Sequence, residues 1–213
     1  MIKKLRERWK KEDINYLSTI FRSPGKNQPM RTFPFDEMKE RYGTFEDRID
    51  FRGFPLHQFV EYQAENIDFS FAKSPDNPYG MDSLLFLHSC ILTNCYFKKV
   101  AVIHNFSGTI IDCDFTGAKF NKGGTSGQYH RCCFDNCNFS YGILGGDLFE
   151  QCTFRKTNFR GATFSPDRLL CCVFEDCTFT NSGYAGEDLN NLNTEDLDIR
   201  FTLKGEIEYK KAN

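Results

Sequence analysis

The sequence of 213 residues contains no uninterrupted apolar run long enough to span a membrane, and its first residues, MIKKLRERWKKEDINYL, lack the apolar stretch of a secretion signal. A membrane-spanning helix needs about 20 mostly apolar residues, and a signal peptide needs an apolar segment near its N-terminus. We therefore expect a soluble, cytoplasmic protein.

Motifs for catalysis and metal binding are also missing. The four histidines are scattered, and neither an HExxH motif nor a Ser/His/Asp set can be assembled. The glycine-rich segment 122–127 lacks the Walker spacing GxxxxGK(S/T). Zinc requires four ligands that converge tetrahedrally, whereas cysteines in a ladder point in parallel. We predict that the protein is not an enzyme and needs no metal or cofactor.

Tryptophan occurs once, but phenylalanine occurs 23 times, which indicates one structural position that is filled repeatedly. From position 132 a bulky apolar side chain returns at every fifth position. These repeat centres are Phe134, Phe139, Leu144, Phe149, Phe154, Phe159, Phe164, Leu169, Phe174, Phe179, Tyr184 and Leu189. A period of five fits neither a helix nor a flat strand, so it predicts an all-β solenoid that turns a corner after each repeat.

A longer period, of four such units, is visible when CCFDNCNF (132–139), CTFRKTNF (152–159) and CVFEDCTF (172–179) are aligned. Four five-residue units then make one coil of twenty, and stacked coils lie about 4.8 Å apart. Asp135, Arg155 and Glu175 fall in one exterior column, where alternating charges tolerate close stacking.

Eight of the ten cysteines stand two positions before a repeat centre or its shifted equivalent. They are Cys90, Cys95, Cys113, Cys132, Cys137, Cys152, Cys172 and Cys177. We interpret them as reduced, small hydrophobic side chains in a packed interior rather than as a disulfide framework.

The period is interrupted between Phe120 and Phe134, because the interval of fourteen positions is not a multiple of five. We expect a projecting loop or a bulge at residues 121–131. Before the repeats, residues 3–21 read as one amphipathic helix that caps the first coil, and residues 36–42 as a short helix. After them, residues 199–209 alternate like a hairpin that either covers the last coil or pairs with a second copy in a homodimer. The expected divisions are a capping segment (1–66), a repeat region (67–194) and a C-terminal tail (195–213).

Units such as Cys137–Asn138–Phe139–Ser140–Tyr141 and Thr157–Asn158–Phe159–Arg160–Gly161 resemble the pentapeptide-repeat family, whose unit is A(D/N)LXX. The resemblance is specific over residues 132–189 and fair over residues 85–120. It implies a right-handed quadrilateral β-helix in which the central residue and the small residue two places earlier both point inward. Family members with a known role are non-catalytic, and several protect DNA gyrase and topoisomerase IV by imitating duplex DNA.

Three acids, Asp147, Asp167 and Glu187, recur with the period of one full coil and fall at the small-residue position that should point inward. Two carboxylates about 5 Å apart repel by about 3 kcal/mol at an effective dielectric near 20. We therefore expect this face to turn its corner differently and to point the acids outward, where they form a negative stripe.

The charge distribution favours a protein partner. Residues 1–41 carry 11 Lys/Arg against 6 Asp/Glu, and residues 42–213 carry 16 against 23, so the net charges are +5 and −7. An acidic body favours a basic protein partner, such as a type II topoisomerase, over direct nucleic-acid binding. The predicted contacts are the three acids together with residues of the expected loop, namely Lys122, Thr125, Gln128, Tyr129 and His130.

Three functions stay open at this point. The first is a non-catalytic interaction module that presents a rigid surface. The second is a DNA-mimicking protector of type II topoisomerases. The third, a structural or membrane-associated scaffold, rests on the basic helix that carries Trp9.

Overall fold

A computed structural model describes residues 1–21, 29–55, 58–73, 85–101, 103–166, 169–179, 182–184, 187–188 and 199–202. The helices are α1 (Ile2–Glu7), α2 (Lys11–Phe21) and α3 (Phe35–Tyr42). The first strands are β1 (Arg31–Thr32), β2 (Thr44–Phe45), β3 (Arg48–Asp50), β4 (Gln58–Val60), β5 (Tyr62–Glu65), β6 (Ile67–Asp68), β7 (Leu85–Thr93) and β8 (Ile103–Ile111). The later strands are β9 (Gly124–His130), β10 (Ile143–Gly146), β11 (Leu148–Glu150), β12 (Thr163–Pro166), β13 (Leu169–Leu170), β14 (Cys172–Glu175), β15 (Gly183–Tyr184), β16 (Glu187–Asp188) and β17 (Ile199–Thr202).

Parallel pairing stacks each coil on the one before it. Leu92 of β7 pairs with Ile110 of β8, and Ile110 pairs with Tyr129 of β9. Leu144 of β10 pairs with Phe164 of β12. The interval between partners thus grows from eighteen to nineteen to twenty positions along the chain. The architecture is the predicted all-β solenoid, a β-helix whose coils reach the predicted length toward the C-terminal end. Parallel pairing already includes β3 with β6, so the first coil begins before position 66.

The interior is filled by the repeat centres. Those from Phe134 to Phe174 are all buried, and Phe179 is half-buried. Leu189 and the side chain of Tyr184 lie outside the described residues. One column stacks nearly parallel rings through successive coils, with centroid separations between 4.5 and 5.3 Å. Its members are Phe69, Phe97, Phe115, Phe134, Phe154 and Phe174.

The thiols line the same interior and form hydrogen bonds to the preceding coil. Cys132 Sγ donates to Ile110 O at 3.4 Å, and Cys172 Sγ donates to Phe149 O at 3.4 Å. None of the ten cysteines forms a disulfide bond. Burial raises the pKa of the Cys90 thiol to about 12, so this sulfur stays protonated and packs as a neutral side chain.

The projecting loop expected at residues 121–131 is a wrong prediction. Residues 124–130 form β9, which pairs along its whole length with β8 and continues the wall of the β-helix. Tyr129 occupies the position of a repeat centre and is fully buried. The irregular interval from Phe120 to Phe134 therefore reflects a coil that is one residue short, not an excursion.

A column of glycines accommodates the shortened coil. Gly108, Gly127 and Gly146 recur at every nineteenth position along one edge and have φ values of +142°, +96° and +148°. Gly108 pairs with Gly127, and a Cβ on Gly127 would lie 2.3 Å from Gly108 O. Only glycine permits this backbone conformation and this close approach. We call this edge the glycine edge.

The N-terminal cap consists of two helices, not of the single helix expected over residues 3–21, because the helical conformation is interrupted between α1 and α2. Trp9 lies at this break and is buried, and its Nε1 donates to Arg52 O at 3.0 Å. The Arg8 guanidinium donates to Asp50 Oδ2 at 2.7 Å, and Arg52 Nε donates to Asp50 Oδ1 at 2.8 Å. The short helix expected at residues 36–42 is confirmed as α3.

At the C-terminal end, β17 pairs in parallel with β14, with Cys172 opposite Ile199. The first arm of the hairpin expected over residues 199–209 is thus β17, which continues the parallel stack and covers the last full coil, one of its two predicted roles. The second arm lies outside the described residues.

Candidate protein-interaction surface

The residues predicted to form a contact loop do not share one surface. The side chains of Thr125 and Tyr129 are buried, so their predicted contact with a partner is wrong. Thr125 Oγ1 donates to Gly145 O at 2.9 Å, and the Tyr129 hydroxyl donates to a backbone carbonyl of the interior. Both fill repeat-centre positions that sequence reasoning assigned to a loop. Lys122 and Gln128 are exposed, but they lie at opposite ends of the segment.

His130 and Asp147 lie on the face that follows the glycine edge. His130 Nδ1 lies 2.9 Å from Glu150 Oε2. Asp147 is exposed, and its backbone N–H donates to Gly127 O at 2.8 Å. The coil of β10 and β11 has one residue more than the coil of β9, and that additional residue is Asp147. It separates β10 from β11, whereas β9 pairs with both strands without an interruption. The corner therefore turns at Asp147, which explains why an acid occupies the small-residue position.

Among the described residues, neither of the other two predicted acids is aligned with Asp147 on a neighbouring coil. Asp167 lies outside the described residues. The backbone of Glu187 is described, and it pairs antiparallel with Tyr184 in β15. At Glu187 the chain has therefore left the parallel stack that would align it with Asp147.

Several other surface acids are neutralised by ion pairs between coils. Arg155 joins Asp135 and Glu175 at 3.4 and 3.0 Å, in the column where the sequence predicts alternating charges. On another face, Arg131 Nε lies 2.7 Å from Asp112 Oδ1. Such pairs reduce the negative potential that these faces present to a partner.

One face carries cations without such pairing. On this face, single β-bridges join one residue of each coil to the next and form a column of Lys119, Asn138, Asn158 and Thr178. Lys122 and Arg160 lie beside this bridge column. Neither these two cations nor Lys119 forms an ion pair with a described residue. We define the basic face as Lys119, Lys122, Asn138, Tyr141, Asn158 and Arg160.

The charge of the basic face follows from its turn residues. At several turns a side-chain oxygen accepts from the backbone N–H two positions later. On the neighbouring face, the Asp68 and Asp114 carboxylates accept from the backbone N–H groups of Ser70 and Thr116, respectively. On the basic face neutral asparagines perform this role, with Asn138 Oδ1 accepting from Ser140 N at 2.9 Å. The turns are thus satisfied without adding a negative charge.

Two large apolar side chains are exposed beside these cations. Tyr141 is 60% exposed and Ile143 is 49% exposed, and no other large apolar side chain is exposed in the described residues from 88 to 179. The Tyr141 ring lies over Gly161 of the next coil, where a Cβ would approach it to 2.7 Å. Ile143 lies between Gly124 and Thr163 in the strand register. We call Tyr141 and Ile143 the apolar pair.

The basic N-terminal segment packs on the fold through Trp9 and Arg6, while Lys3, Lys4, Lys10 and Lys11 remain exposed. Trp9 is only 8% exposed, and Arg6 donates to Phe71 O at 3.1 and 3.2 Å. Trp9, on which the hypothesis of a membrane-associated scaffold rests, thus packs on the first coil. In the described part of the chain, no helix combines the length and apolar composition that crossing a membrane requires.

The described side chains form little that resembles a catalytic centre. His88 Nδ1 lies 2.7 Å from Ser107 Oγ, but Ser107 is buried, and no described carboxylate bonds to the His88 ring. No group of three His, Cys, Asp or Glu side chains among the described residues could hold a metal ion. A cavity of about 200 Å³ near Thr32 and Gln63 contains Glu65 as its one charged lining residue. It is smaller than typical ligand pockets.

The geometry defines a class, a β-helix of stacked four-sided coils with a phenylalanine-filled interior. Residues 132–165 match the family model described as Pentapeptide repeats (8 copies), so this part of the chain carries the repeats of that family. This fold is generally a non-catalytic structural or interaction fold. Comparison with curated proteins and with solved structures found no match.

Proposed function

We propose that the protein is a non-catalytic interaction module that presents the outer surface of its β-helix to a protein partner. The observation that carries this proposal is the exposure of the apolar pair on a coil whose repeat centres are buried. Exposed aromatic and aliphatic side chains on an otherwise polar surface are typical of binding sites.

The rigidity of the scaffold supports the same proposal. The neighbouring repeat centres Phe139 and Phe159 are stacked at 5.4 Å beneath the basic face, and the backbone above them is held by the parallel ladder. A surface already fixed in the free protein loses little conformational entropy on binding.

A pull-down from extract of the native host tests the module function. The immobilised full chain is compared with a variant of the apolar pair, Tyr141→Ser with Ile143→Ser, and with Gln128→Ala with Asp147→Asn on the other surface. We expect at least one protein to be captured by the wild type and lost in one of these variants. Identical captured proteins for all three would contradict binding through the outer surface.

Protection of type II topoisomerases is the second candidate function, and the exposed Asp147 on a body of net charge −7 favours it. The ion pairs at Asp112 and Asp135 weaken it, because a DNA mimic needs unneutralised acids. A supercoiling assay with gyrase and a quinolone tests this function. No protection at micromolar protein would refute it.

The remaining proposals concern location and assembly. The absence of a disulfide bond among the ten cysteines supports a cytoplasmic location, where cysteines are kept reduced. A membrane-associated scaffold would require binding to anionic vesicles, which a sedimentation assay measures. Association of two copies through residues 195–213 would give a dimer mass in light scattering.

A further inference from the structure

We propose that the basic face and the adjoining apolar pair bind an acidic polypeptide segment that carries an apolar anchor residue. This inference rests on the proposed module function and names the chemistry of its partner. It differs from the sequence-based expectation of a basic partner, because the charge is distributed unevenly among the faces of the β-helix.

The basic face retains the positive charge of its cations. Lys119 and Lys122 project from one coil and Arg160 from the second coil after it, and the bridge column that starts at Lys119 continues with the uncharged Asn138 and Asn158. Lys122 and Arg160 are exposed, and neither they nor Lys119 is paired with a described acid. A row of unpaired cations at fixed spacing attracts a segment that carries carboxylates at a similar spacing.

Cations on the other faces of the β-helix form ion pairs between coils. Arg131 and Arg155, which project elsewhere, each contact a carboxylate on an adjacent coil. Lys98 Nζ likewise lies 3.1 Å from Asp114 Oδ2. Arg131, Arg155 and Lys98 are thus paired within the fold, whereas Lys119, Lys122 and Arg160 contact no described acid and remain available to an external anion.

The apolar pair lies beside the cations of the basic face. The backbone N–H of Lys122 donates to Ser140 O, and that of Tyr141 donates to Arg160 O, so Tyr141 lies between the two cations along the coil stack. Gly161 leaves the Tyr141 ring uncovered, and Gly124 and Gly145 flank Ile143. An apolar side chain of a bound segment could pack on this ring while neighbouring carboxylates reach Lys122 and Arg160.

Single-stranded nucleic acid is the other polyanion that basic and aromatic side chains bind. Ile143 favours a polypeptide, because an aliphatic side chain offers packing to an apolar anchor rather than a stacking platform for a base. The described residues of the basic face include one aromatic side chain, whereas nucleic-acid platforms stack successive bases on several.

Fluorescence anisotropy with the full-length protein tests the proposal. The probe is a labelled dodecapeptide of alternating Asp/Glu and Leu/Phe. One matched peptide has Gln in place of the acids, a second has Ala in place of the apolar residues, and an oligothymidylate of equal length represents nucleic acid. We expect the acidic, apolar peptide to bind at least 5-fold more tightly than either matched peptide and more tightly than the oligonucleotide.

Variants locate the site. Lys122→Gln with Arg160→Gln should weaken binding at least 10-fold, and Tyr141→Ser about 5-fold or more. Lys10→Gln with Lys11→Gln removes the same charge from exposed positions of the cap and should leave affinity unchanged. Lys122→Glu with Arg160→Glu should instead bind a peptide in which Lys replaces the acids, which a misfolded variant would not do.

The results also separate this inference from the proposed function. Equal affinity of wild type and the Gln variant, or preference for the oligonucleotide, would overturn the inference. Host-protein capture that is lost with Gln128→Ala and Asp147→Asn but kept with Lys122→Gln and Arg160→Gln would overturn it while supporting the module function.

Discussion

Replacing Gly127 by alanine tests whether the glycine edge is what permits the shortened coil. The added methyl carbon would lie 2.3 Å from Gly108 O and 2.7 Å from Gly108 N, and both atoms belong to the backbone of the adjacent strand. Ordinary contact begins at 3.4 Å, so β8 and β9 must separate by about 1 Å at this point. The positive φ of +96° adds conformational strain.

The expected cost follows from these two contributions. A positive φ costs an alanine about 1 kcal/mol relative to glycine. Separation of a packed strand pair costs about 1–3 kcal/mol for overpacking, together with weakened ladder hydrogen bonds worth about 1 kcal/mol each. We expect Gly127→Ala to lower the free energy of unfolding by about 3–5 kcal/mol.

Gly43→Ala is the matched control. Gly43 also has a positive φ, +72°, but a Cβ there would meet no atom within 4 Å. Because its ψ of −172° lies outside the left-handed helical region, this variant should lose about 1–3 kcal/mol from conformational strain alone. Urea unfolding followed by circular dichroism measures both variants. A loss for Gly127→Ala within about 1 kcal/mol of the control would refute the reasoning that the glycine edge is required for close approach of the strands.

Three further predictions address the core, the cap and the thiols. Phe134→Ala should lower the free energy of unfolding by about 4–5 kcal/mol, because it opens a cavity between stacked rings, and urea unfolding measures this loss. Asp50→Asn should cost about 2–3 kcal/mol at pH 7, because it leaves the Arg8 and Arg52 guanidinium groups without their carboxylate, and thermal melts across pH measure this. In the native protein a thiol reagent should modify exposed Cys171 first, and the buried cysteines only on unfolding, as mass spectrometry would show.

The pH dependence of the Asp50 variant has a definite sign. Burial acts to raise the pKa of Asp50, but hydrogen bonds from Arg52 and Arg8 outweigh it and hold the pKa well below its usual range. The contribution of Asp50 is therefore complete above the unfolded pKa, near 4, and is lost as pH falls below it. The stability difference between wild type and Asp50→Asn should shrink below about pH 4. A difference that stays constant from pH 7 to pH 2 would contradict this assignment.

Matched variants and measurements keep the other two predictions open to refutation. Phe134→Leu retains most of the buried volume and should lose clearly less stability than Phe134→Ala; equal losses would argue against a cavity as the cause. For the thiols, rapid native modification of Cys137 at the rate of Cys171 would show that the interior is not closed to solvent.

The repeated part of the fold was predictable because its signal is spatially simple. Phe134, Phe154 and Phe174 recur at one interval and occupy one column, and the ion pairs of Arg155 follow from the same interval. The shortened coil was misread because the five-residue period offers no way to distinguish a deleted residue from an inserted loop. The regular recurrence of Gly108, Gly127 and Gly146 in β8, β9 and β10 was the available signal.

The candidate surface was predictable only in part, for a different physical reason. The sequence shows Asp147 at an anomalous position, and the structure shows how the corner turns there. The basic face has no comparable signature, because Lys122 and Arg160 are far apart in the sequence and neighbouring coils differ in length. The contact of Arg8 with Asp50 likewise depends on how the cap docks, which no local pattern encodes.

The glycine edge has a consequence for how such a chain can change its length. A coil loses or gains a residue there, between β9 and its neighbours β10 and β11, while Phe115, Phe134 and Phe154 stay stacked on the adjacent wall. Insertions and deletions at this edge are thus absorbed locally and do not propagate into the other walls. One edge of the β-helix can then vary during evolution, while the opposite side retains the spacing of whatever surface it displays.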